Sequence, residues 1–537
     1  MRSSPRFSLA AVIALAACGT PNADSASEEH EHPAGDAAEG VGRVAFVTSC
    51  AEQAQPTFER AVAMLHSFWF EEANEEFQEA ATLDPQCAMA HWGRAMTLWG
   101  NPMTRAAPAE SRAREALAAI ADARALEEFV TERERMYIEA AAALYEDADE
   151  AGHIERMRAH EQAMRELTEA YPGDAEAVIF YGRIVVGNAP PDDLTFSRQL
   201  YAAELMEPLF ADRPDHPGLA HYLIHAFDAP ATAEAGLDAA LRYADIAPDA
   251  PHALHMPTHI FTRLGHWDES IELNIRSAQA EPNPDAAVHP MDYMVYAYLQ
   301  LGRDSDAGEV VGRAREIPDR FYGGLTGYNF AAMQARFVLE RDRWGEAAEL
   351  TVPGQAPPYV EAVTRFARGL GAARAGRSGP ARAEIAELER LRDRLREDGD
   401  EYWATVVEAQ RLAVAGWTAR GDGDTAEAVR LATEAAELEG TVEKHPVTPG
   451  PLLPARELLG DLLLDLDRPA ESLEAYEATL AKERGRARAL FGAARAAERA
   501  GQDEAAERYY TELLELLAGA DDDRPDLGAA RAWLAAR

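Results

Sequence analysis

The stretch PGLAHYLIHAFDAPATAEAGLDAALRYADIAPDAPHALHMPTHIFTRLG, residues 217–265, decides the fold of this chain. The pair His221 and His225 and the pair His255 and His259 lie 34 residues apart, and the spacing within each pair is four. A period of 34 residues is typical of a solenoid unit made of two helices. A spacing of four places both rings of a pair on one helix face. The stretch therefore predicts two consecutive helical hairpins with histidines on equivalent faces.

The same period recurs along most of the chain. In a frame that begins at Ala54, the small residues Ala61 and Ala73 stand at positions 8 and 20, Phe77 stands at position 24 and Pro85 at position 32. Further units begin at or near Pro217, Pro251, Val288, Tyr328, Ala362, Ala409, Leu453 and Ala487. This pattern resembles the tetratricopeptide repeat. The resemblance implies an all-α fold, a right-handed α-solenoid of helical hairpins.

The resemblance also indicates which residues face a ligand. In tetratricopeptide proteins, positions 2, 5, 9, 12 and 13 of the first helix usually line the concave groove. In this chain those positions hold His221, His225, His252, His255, His259, His289, Asp292 and Tyr296. The stretches CAMAHWG, HYLIHAFD, HALHMPTHIFTRLG and HPVTPGP are similar to exported bacterial tetratricopeptide proteins, and this similarity implies no particular reaction.

Histidines that converge in a groove favour a metal site, because a neutral imidazole offers a nitrogen lone pair at neutral pH. Zinc typically takes four such ligands, and copper and nickel also accept imidazole. We expect zinc first, with copper or nickel less favoured, and four ligands: His221, His225, His255 and His259. Asp228 and Asp292 either bind the metal directly or orient a ring by accepting its other N–H.

Two other interpretations of the groove remain open. It could receive an organic or peptide ligand without metal, or its histidines could be purely structural. Pro257 lies between His255 and His259 and could start the helix late or kink it, which would disturb their spacing. His66 and His91, beside tryptophans on early helices, are interpreted as core or local contacts.

Conventional catalytic motifs are absent from the sequence: there is no phosphate-binding Gly-x-x-x-x-Gly-Lys loop, no Gly-x-Ser-x-Gly elbow and no His-Glu-x-x-His helix. The sequence thus favours a binding or assembly module over an enzyme. A metal-dependent enzyme is the alternative, since a catalytic metal needs only an open coordination position and a nearby acid or base. A metal-free scaffold for peptides or proteins is the other alternative.

The net charge of −41 argues against a nucleic-acid partner, because phosphates would be repelled. An envelope protein or a peptide is the expected partner. Glutamate on solvated helix faces explains most of this charge.

The first eighteen residues have the pattern of an export signal, with Arg2 and Arg6 before a short apolar run. Leu15 to Cys18 resembles the bacterial lipobox, in which the cysteine is lipidated and becomes the mature N-terminus. Gly19 in place of aspartate favours the outer membrane, facing the periplasm. An ordinary secretory signal with an incidental cysteine is the alternative. Membrane contact is expected only through this lipid anchor.

The chain therefore divides into five parts: a lipoprotein signal at 1–18, a flexible tether at 19–42, the main array at 43–440, a Pro-rich loop or hinge at 441–454 and a C-terminal pair of repeats at 455–537. The segment KHPVTPGPLLP within the fourth part contains four prolines, which forbid helix. It either links two sub-arrays or folds over the groove and brings His445 toward the histidines.

Apart from the lipidated Cys18, the cysteines that remain after processing are Cys50 and Cys87. In an oxidising compartment such a pair usually forms a disulfide. It would join the segment before the first repeat to the start of the second, and stabilise by roughly 3 to 4 kcal/mol.

Overall fold

The computed structural model describes residues 40–146, 152–317, 324–521 and 524–536. The export signal, Cys18 and residues 19–39 of the predicted tether lie outside these ranges. Residues 40–42 lie inside them and pack on the array. Val41 is fully buried, and the backbone N–H of Asp249 donates to the Gly40 carbonyl at 3.0 Å.

The described residues form α-helices joined by turns and short 3-10 segments, with no β-strand. This follows from a composition dominated by alanine, glutamate, arginine and leucine, the strongest helix formers. The first eight helices are α1 Gln55–His66, α2 Phe70–Leu83, α3 Ala88–Trp99, α4 Glu110–Ala125, α5 Glu132–Ala142, α6 His153–Ala170, α7 Ala175–Gly187 and α8 Ser197–Asp212. A disulfide joins Cys50 to Cys87, the residue before α3, with Cα atoms 4.5 Å apart.

The middle of the chain forms three hairpins whose first helices carry the histidines. Their helices are α9 Pro217–Phe227, α10 Leu237–Ile246, α11 Pro251–His255, α12 Pro257–Leu264, α13 Trp267–Ala280, α14 Val288–Gln300 and α15 Asp304–Glu316. Pro257 divides one first helix into α11 and α12. Met256 between them keeps helical dihedral angles, and the His259 N–H donates to its carbonyl at 3.1 Å. The backbone therefore stays helical through Met256, with one tighter turn at this point.

The last part of the described chain continues in the same manner. Its helices are α16 Gly324–Leu339, α17 Trp344–Ala347, α18 Pro358–Arg374, α19 Ser378–Glu397, α20 Glu401–Gly421, α21 Thr425–Glu439, α22 Ala455–Asp465, α23 Pro469–Lys482, α24 Ala487–Arg499, α25 Asp503–Leu516 and α26 Pro525–Ala535. Two hairpins and the single helix α26 thus follow the Pro-rich segment. No helix among the described residues is both long and apolar enough to span a bilayer.

Each helix packs mainly on its neighbours in sequence, as a stack of hairpins requires. A large residue of one helix fills the space left by a glycine on the next. A Cβ added to Gly93 would lie 2.3 Å from the ring of Phe77, and one added to Gly492 would lie 2.2 Å from the ring of Tyr476. The predicted all-α array of helical hairpins is confirmed.

The segment 441–454 forms no helix and packs against α14 and α16. The buried guanidinium of Arg336 donates to the carbonyls of Pro451 and Gly450 at 2.7 Å and to Thr448 Oγ1 at 2.6 Å. Three hydrogen bonds from one side chain thus hold the segment on the array.

The C-terminal hairpins return to the middle of the array. The indole N–H of Trp267 on α13 donates to the Gly485 carbonyl at 3.0 Å, across 218 residues of sequence. Arg524, before α26, pairs with Asp304 at 2.7 Å. The array is therefore closed on itself by contacts that are distant in sequence.

Candidate metal centre

Six histidines lie side by side on the first helices of three consecutive hairpins. They are His221 and His225 on α9, His252 and His255 on α11, His259 on α12 and His289 on α14. Equivalent positions of stacked repeats face the same side, which explains the convergence. The histidines form two groups, and within each group the possible ligand nitrogens lie within 4.8 Å of one another. The first trio is His255, His259 and His289, and the second trio is His221, His225 and His252.

In the first trio, hydrogen bonds fix the position of two protons. The Nδ1–H of His255 donates to Asn274 Oδ1 at 2.7 Å, and the Asn274 amide N–H donates to the Ser270 carbonyl, which orients the amide. The Nδ1–H of His259 donates to Asp228 Oδ2 at 2.8 Å. Because a neutral imidazole carries a single N–H, both Nε2 atoms present lone pairs. These two Nε2 atoms are 3.1 Å apart.

His289 completes the first trio from α14. Its ring lies 4.3 Å from that of His255 between centroids, and its Nδ1 lies 3.2 Å from the amide nitrogen of Asn329. The Asn329 Oδ1 has no hydrogen-bond partner among the described residues. Rotation of this amide by 180° lets the His289 Nδ1–H donate to Oδ1. The Nε2 of His289 then also presents a lone pair.

The second trio has a similar arrangement. The Nδ1–H of His221 donates to the backbone carbonyl of His66 at 2.6 Å, so that its Nε2 carries the lone pair. That Nε2 lies 3.2 Å from the Nε2 of His252. The Nε2 of His225 is buried and has no hydrogen-bond partner among the described residues. An unpartnered buried nitrogen is costly unless a ligand fills the role.

The two trios adjoin each other. The ring centroids of His225 and His259 are 6.1 Å apart, and so are those of His252 and His255. Phe68 forms an apolar wall over the second trio, with its centroid 4.3 Å from that of His221. Its φ of 54° lies in the left-handed region, which costs about 1 to 2 kcal/mol in a residue with a Cβ. Such strain often marks a functional site.

The imidazoles stay neutral because they are buried beside one another. Burial, and the charge that His259 would carry, lower the pKa of His225 and of His289 to about 3. Burial and neighbouring histidines likewise hold the pKa values of His221, His252 and His255 well below their usual value. Six lone-pair donors are therefore available at neutral pH.

Asp228 lies behind the first trio and anchors it. Its carboxylate accepts from the His259 Nδ1–H, from Arg263 Nε at 2.9 Å and from Lys444 Nζ at 3.0 Å. Burial alone would raise the pKa of Asp228, but the two cations and His259 hold it well below its usual value. Of the two predicted roles of Asp228, orienting a ring is the one that this geometry provides.

Tyr293 connects the first trio to the Pro-rich segment. Its hydroxyl lies 3.4 Å from His259 Nε2 and 3.2 Å from the carbonyls of Pro446 and Thr448, which share its single proton. Together with Lys444, it links the histidines to residues 441–454. His445 instead stacks on Trp403, with centroids 5.5 Å apart.

The structure differs from the sequence interpretation at two points. The four histidines predicted as one ligand set are divided between the trios, with His252 and His289 completing them, because the rotation between hairpins separates equivalent positions. Asp292 and Tyr296, predicted to line the groove, contact arginines rather than the histidines. Asp292 pairs with Arg336 at 3.2 Å, and the Tyr296 hydroxyl lies 3.3 Å from Arg486.

A third group, His66, Glu176 and His216, is a closed network. The His66 Nε2–H and the His216 Nε2–H donate to the two oxygens of Glu176 at 3.0 and 2.8 Å. The other nitrogens accept from the Tyr222 hydroxyl and the Leu219 backbone N–H. Every ring nitrogen is satisfied, as predicted for a core histidine at His66. The group supports the second trio through the His66 carbonyl.

A separate cavity of about 1040 Å³ lies between α15, α18, α22 and α24. Two of its arginines already have partners. Arg488 pairs with Asp461 at 2.8 Å, and Arg374 lies between the rings of Trp344 and Trp417. This compensation makes the cavity a poor site for an anion.

No protein-family model and no curated protein matches this sequence. Among solved structures, the human IFIT1 dimer with PPP-AAAA is similar at 12% identity, with 86% of this chain and 89% of that chain covered and a TM-score of 0.38. The Naa15/Naa10 structure bound to HypK-THB shares 12% identity over 86% of this chain and 70% of that one, at a TM-score of 0.24. The P58(IPK) tetratricopeptide domain shares 13% sequence identity, with 84% of this chain and 99% of that chain covered and a TM-score of 0.21. Likeness this low indicates nothing about what the chain binds.

Proposed function

We propose that the chain is an exported, lipid-anchored binding module of the bacterial cell envelope whose six-histidine groove binds transition metal ions. One observation carries the metal proposal. The Nε2 atoms of His255 and His259 are 3.1 Å apart while both Nδ1–H groups donate elsewhere. Two facing lone pairs repel each other, and a cation between them removes the repulsion.

The separations suit metal ligands. Two nitrogens bound at roughly 2.0 to 2.1 Å to one tetrahedral ion lie about 3.3 to 3.4 Å apart. The pairs His255 with His259 and His221 with His252 are separated by 3.1 and 3.2 Å. Metal-binding histidines also donate their other N–H to a carboxylate or carbonyl, as His259 and His221 do here.

The metal-free interpretations are less well supported. A proton shared between His255 and His259 would require a charged imidazole, and burial lowers the pKa of both residues. His66, a structural histidine, satisfies both nitrogens, whereas the buried Nε2 of His225 lacks a partner among the described residues, as do His91 Nδ1 and both nitrogens of His153 outside the trios. His225 differs from those two in that its ring lies beside two further histidines. The groove therefore favours a ligand that accepts lone pairs.

Binding is favoured over catalysis by the state of Asp228. Three imidazoles leave an open position on a metal, which an enzyme needs. The nearby carboxylate of Asp228 is engaged by His259, Arg263 and Lys444, so it is not free to act as a general base. An enzyme remains the second candidate because of the open position.

The location and the partner rest on the sequence and the fold. Leu15 to Cys18 supports lipid anchoring in the envelope, and the array of hairpins supports an envelope protein or peptide as partner. Labelling of cells with a fatty-acid analogue should tag the chain, and Cys18→Ser should abolish the label. Crosslinking in intact cells should recover a specific partner.

Metal analysis of the full chain, purified without an affinity tag, tests the central proposal. We expect at least one equivalent of zinc, copper or nickel, and a lower melting temperature after chelation, because an ion that binds the folded state alone stabilises it. His255→Ala combined with His221→Ala should lose the metal, and His91→Ala, on a partly exposed ring outside the trios, should keep it. Full occupancy in the double variant, or no metal in the parent, would refute the proposal.

A further inference from the structure

We infer that the groove holds two monovalent copper ions, one in each trio. This inference rests on the proposed function and adds the number and the charge of the ions. Zinc, which the sequence favours, is not the ion that the donors of the folded chain suit best.

The number of ions follows from the arrangement of the six rings. Nitrogens bound to one ion lie within about 4 Å of each other. Within each trio the ligand atoms lie within 4.8 Å, a separation that small rotations of the half-buried rings of His225, His252 and His289 reduce. The ring centroids of neighbouring histidines in different trios are 6.1 Å apart, no further than the 6.4 Å between His259 and His289 within the first trio. The division into two sites therefore rests on the ligand atoms, which fall into these two sets of three. One ion therefore reaches one trio.

The second trio needs its own ion for a separate reason. His221 has its proton fixed on Nδ1 by the His66 carbonyl, and His225 has a buried Nε2 without a partner among the described residues. An ion confined to the first trio would leave both lone pairs unused. A second ion satisfies both.

The charge follows from the absence of a free anion among the donors. All six ligands are imidazoles, which bind a metal through an uncharged nitrogen. The nearest carboxylates are compensated, since Asp228 pairs with Arg263 and Lys444, and Glu443 pairs with Arg263 at 2.8 Å. The energy of placing an ion in a medium of low dielectric constant rises with the square of its charge, so a divalent ion costs about four times as much as a monovalent one.

The number of ligands in each trio also favours monovalent copper over zinc. Zinc in proteins is almost always four-coordinate and would need a further ligand in each trio. Monovalent copper is stable with three nitrogen donors. Phe68, whose ring stacks on His252 with centroids 5.3 Å apart, and Tyr293, 3.4 Å from His259 Nε2, occupy space beside the trios. Three-coordinate copper fits without an added ligand.

Anaerobic titration of the metal-free full chain with Cu(I), against a chromophoric Cu(I) chelator, tests the inference. We expect two equivalents, no electron paramagnetic resonance signal, and binding at least 100-fold tighter than that of Zn(II) measured with the same protein. His225→Ala combined with His252→Ala should keep one equivalent. His91→Ala combined with His266→Ala is the matched control and should keep two. Both rings replaced in the second trio are half-buried, and circular dichroism of the metal-free variants checks the fold.

The outcomes separate the two proposals. A single equivalent of Cu(I) in the parent, or two in the variant of the second trio, would overturn the inference about number. Tighter binding of Zn(II) would overturn the inference about charge and leave the proposed function standing. Failure to bind zinc, nickel and copper in either oxidation state would refute both.

Discussion

The residues that accept hydrogen bonds from the imidazoles determine which ring nitrogen keeps its lone pair. Asp228, Asn274 and the His66 carbonyl each accept an Nδ1–H, and so direct an Nε2 lone pair into the groove. Partners of this kind usually change metal affinity by 10- to 100-fold when they are removed. Asn274 lies on α13, a second helix of its hairpin, so the spacing of the histidines gives no sign of it.

Replacing Asp228 tests this support. Asp228→Asn should weaken metal binding by about 10- to 100-fold, because the His259 ring loses its charged acceptor. It should also lower the free energy of unfolding by about 3 to 5 kcal/mol, since the buried cation of Lys444 loses its carboxylate partner and Arg263 keeps only Glu443. Metal titration and urea unfolding measure the two effects.

Asp238→Asn is the matched control for that substitution. Asp238 pairs with Arg242 on the surface of α10, four residues away, and its side chain is 75% exposed. Its removal should change the free energy of unfolding by less than about 1 kcal/mol and leave metal affinity unchanged. Equal effects of the two variants would contradict the role given to Asp228.

Buried histidines outside the trios make stability depend on pH. Burial lowers the pKa of His160 and of His445 to about 4, below the value near 6.5 of an unfolded chain. Between these values the unfolded chain binds protons that the folded chain refuses, so stability falls as pH decreases from 6.5 toward 4. Each pKa unit corresponds to about 1.4 kcal/mol per group. Urea unfolding at several pH values should show this fall, and His160→Gln should make it shallower.

At the scale of elements, two irregular segments shape the groove. Pro257 divides α11 from α12, yet Met256 remains helical, so that His255 and His259 keep their common face. The segment 441–454 packs on α14 and α16 through Arg336 and Tyr293. The sequence identified both irregularities from proline, but the contacts of the segment depend on residues more than a hundred positions away.

Cleavage by a lysine-specific protease tests whether Arg336 keeps the segment 441–454 packed on the array. The chain has two lysines, Lys444 and Lys482, and the side chain of Lys444 is only 3% exposed. Endoproteinase Lys-C should spare the Lys444–His445 bond in the parent. Arg336→Gln removes donors to Gly450 and Pro451 and should make that bond cleavable at least ten times faster. An unchanged rate would show that Arg336 does not hold the segment.

At the scale of the whole molecule, the C-terminal hairpins close the array onto its middle. Arg486 lies at this junction, fully buried, and its guanidinium pairs with Glu457 at 2.6 Å, with Glu340 at 2.8 Å and with the Tyr296 hydroxyl at 3.3 Å. Trp267 adds a hydrogen bond to Gly485. The junction joins α13 and α14, which flank the first trio, to α24.

Arg486→Met should destabilise the closed array. Glu340 would lose its partner cation and Glu457 would keep only Arg488, so the free energy of unfolding should fall by about 3 to 5 kcal/mol in urea titrations. Arg430→Met is the control, because Arg430 is 57% exposed and makes only ion pairs within α21. It should change stability by less than about 0.5 kcal/mol.

The sequence by itself determined the helical hairpins, their period and the face on which the histidines lie. These are local properties: helix propensity, proline positions and a spacing of four act between residues that are near in the chain. The spacing identified His221, His225, His255 and His259, and the groove positions implied by the resemblance to tetratricopeptide proteins added His252 and His289.

Only the tertiary structure decided how those residues combine. The division of His221, His225, His255 and His259 between two trios depends on the rotation from one hairpin to the next. The turning of Asp292 toward Arg336, and the approach of Lys444 to Asp228 across 216 residues, depend on long-range packing. Such contacts follow from the balance of burial and charge over the whole fold, and no local pattern records that balance.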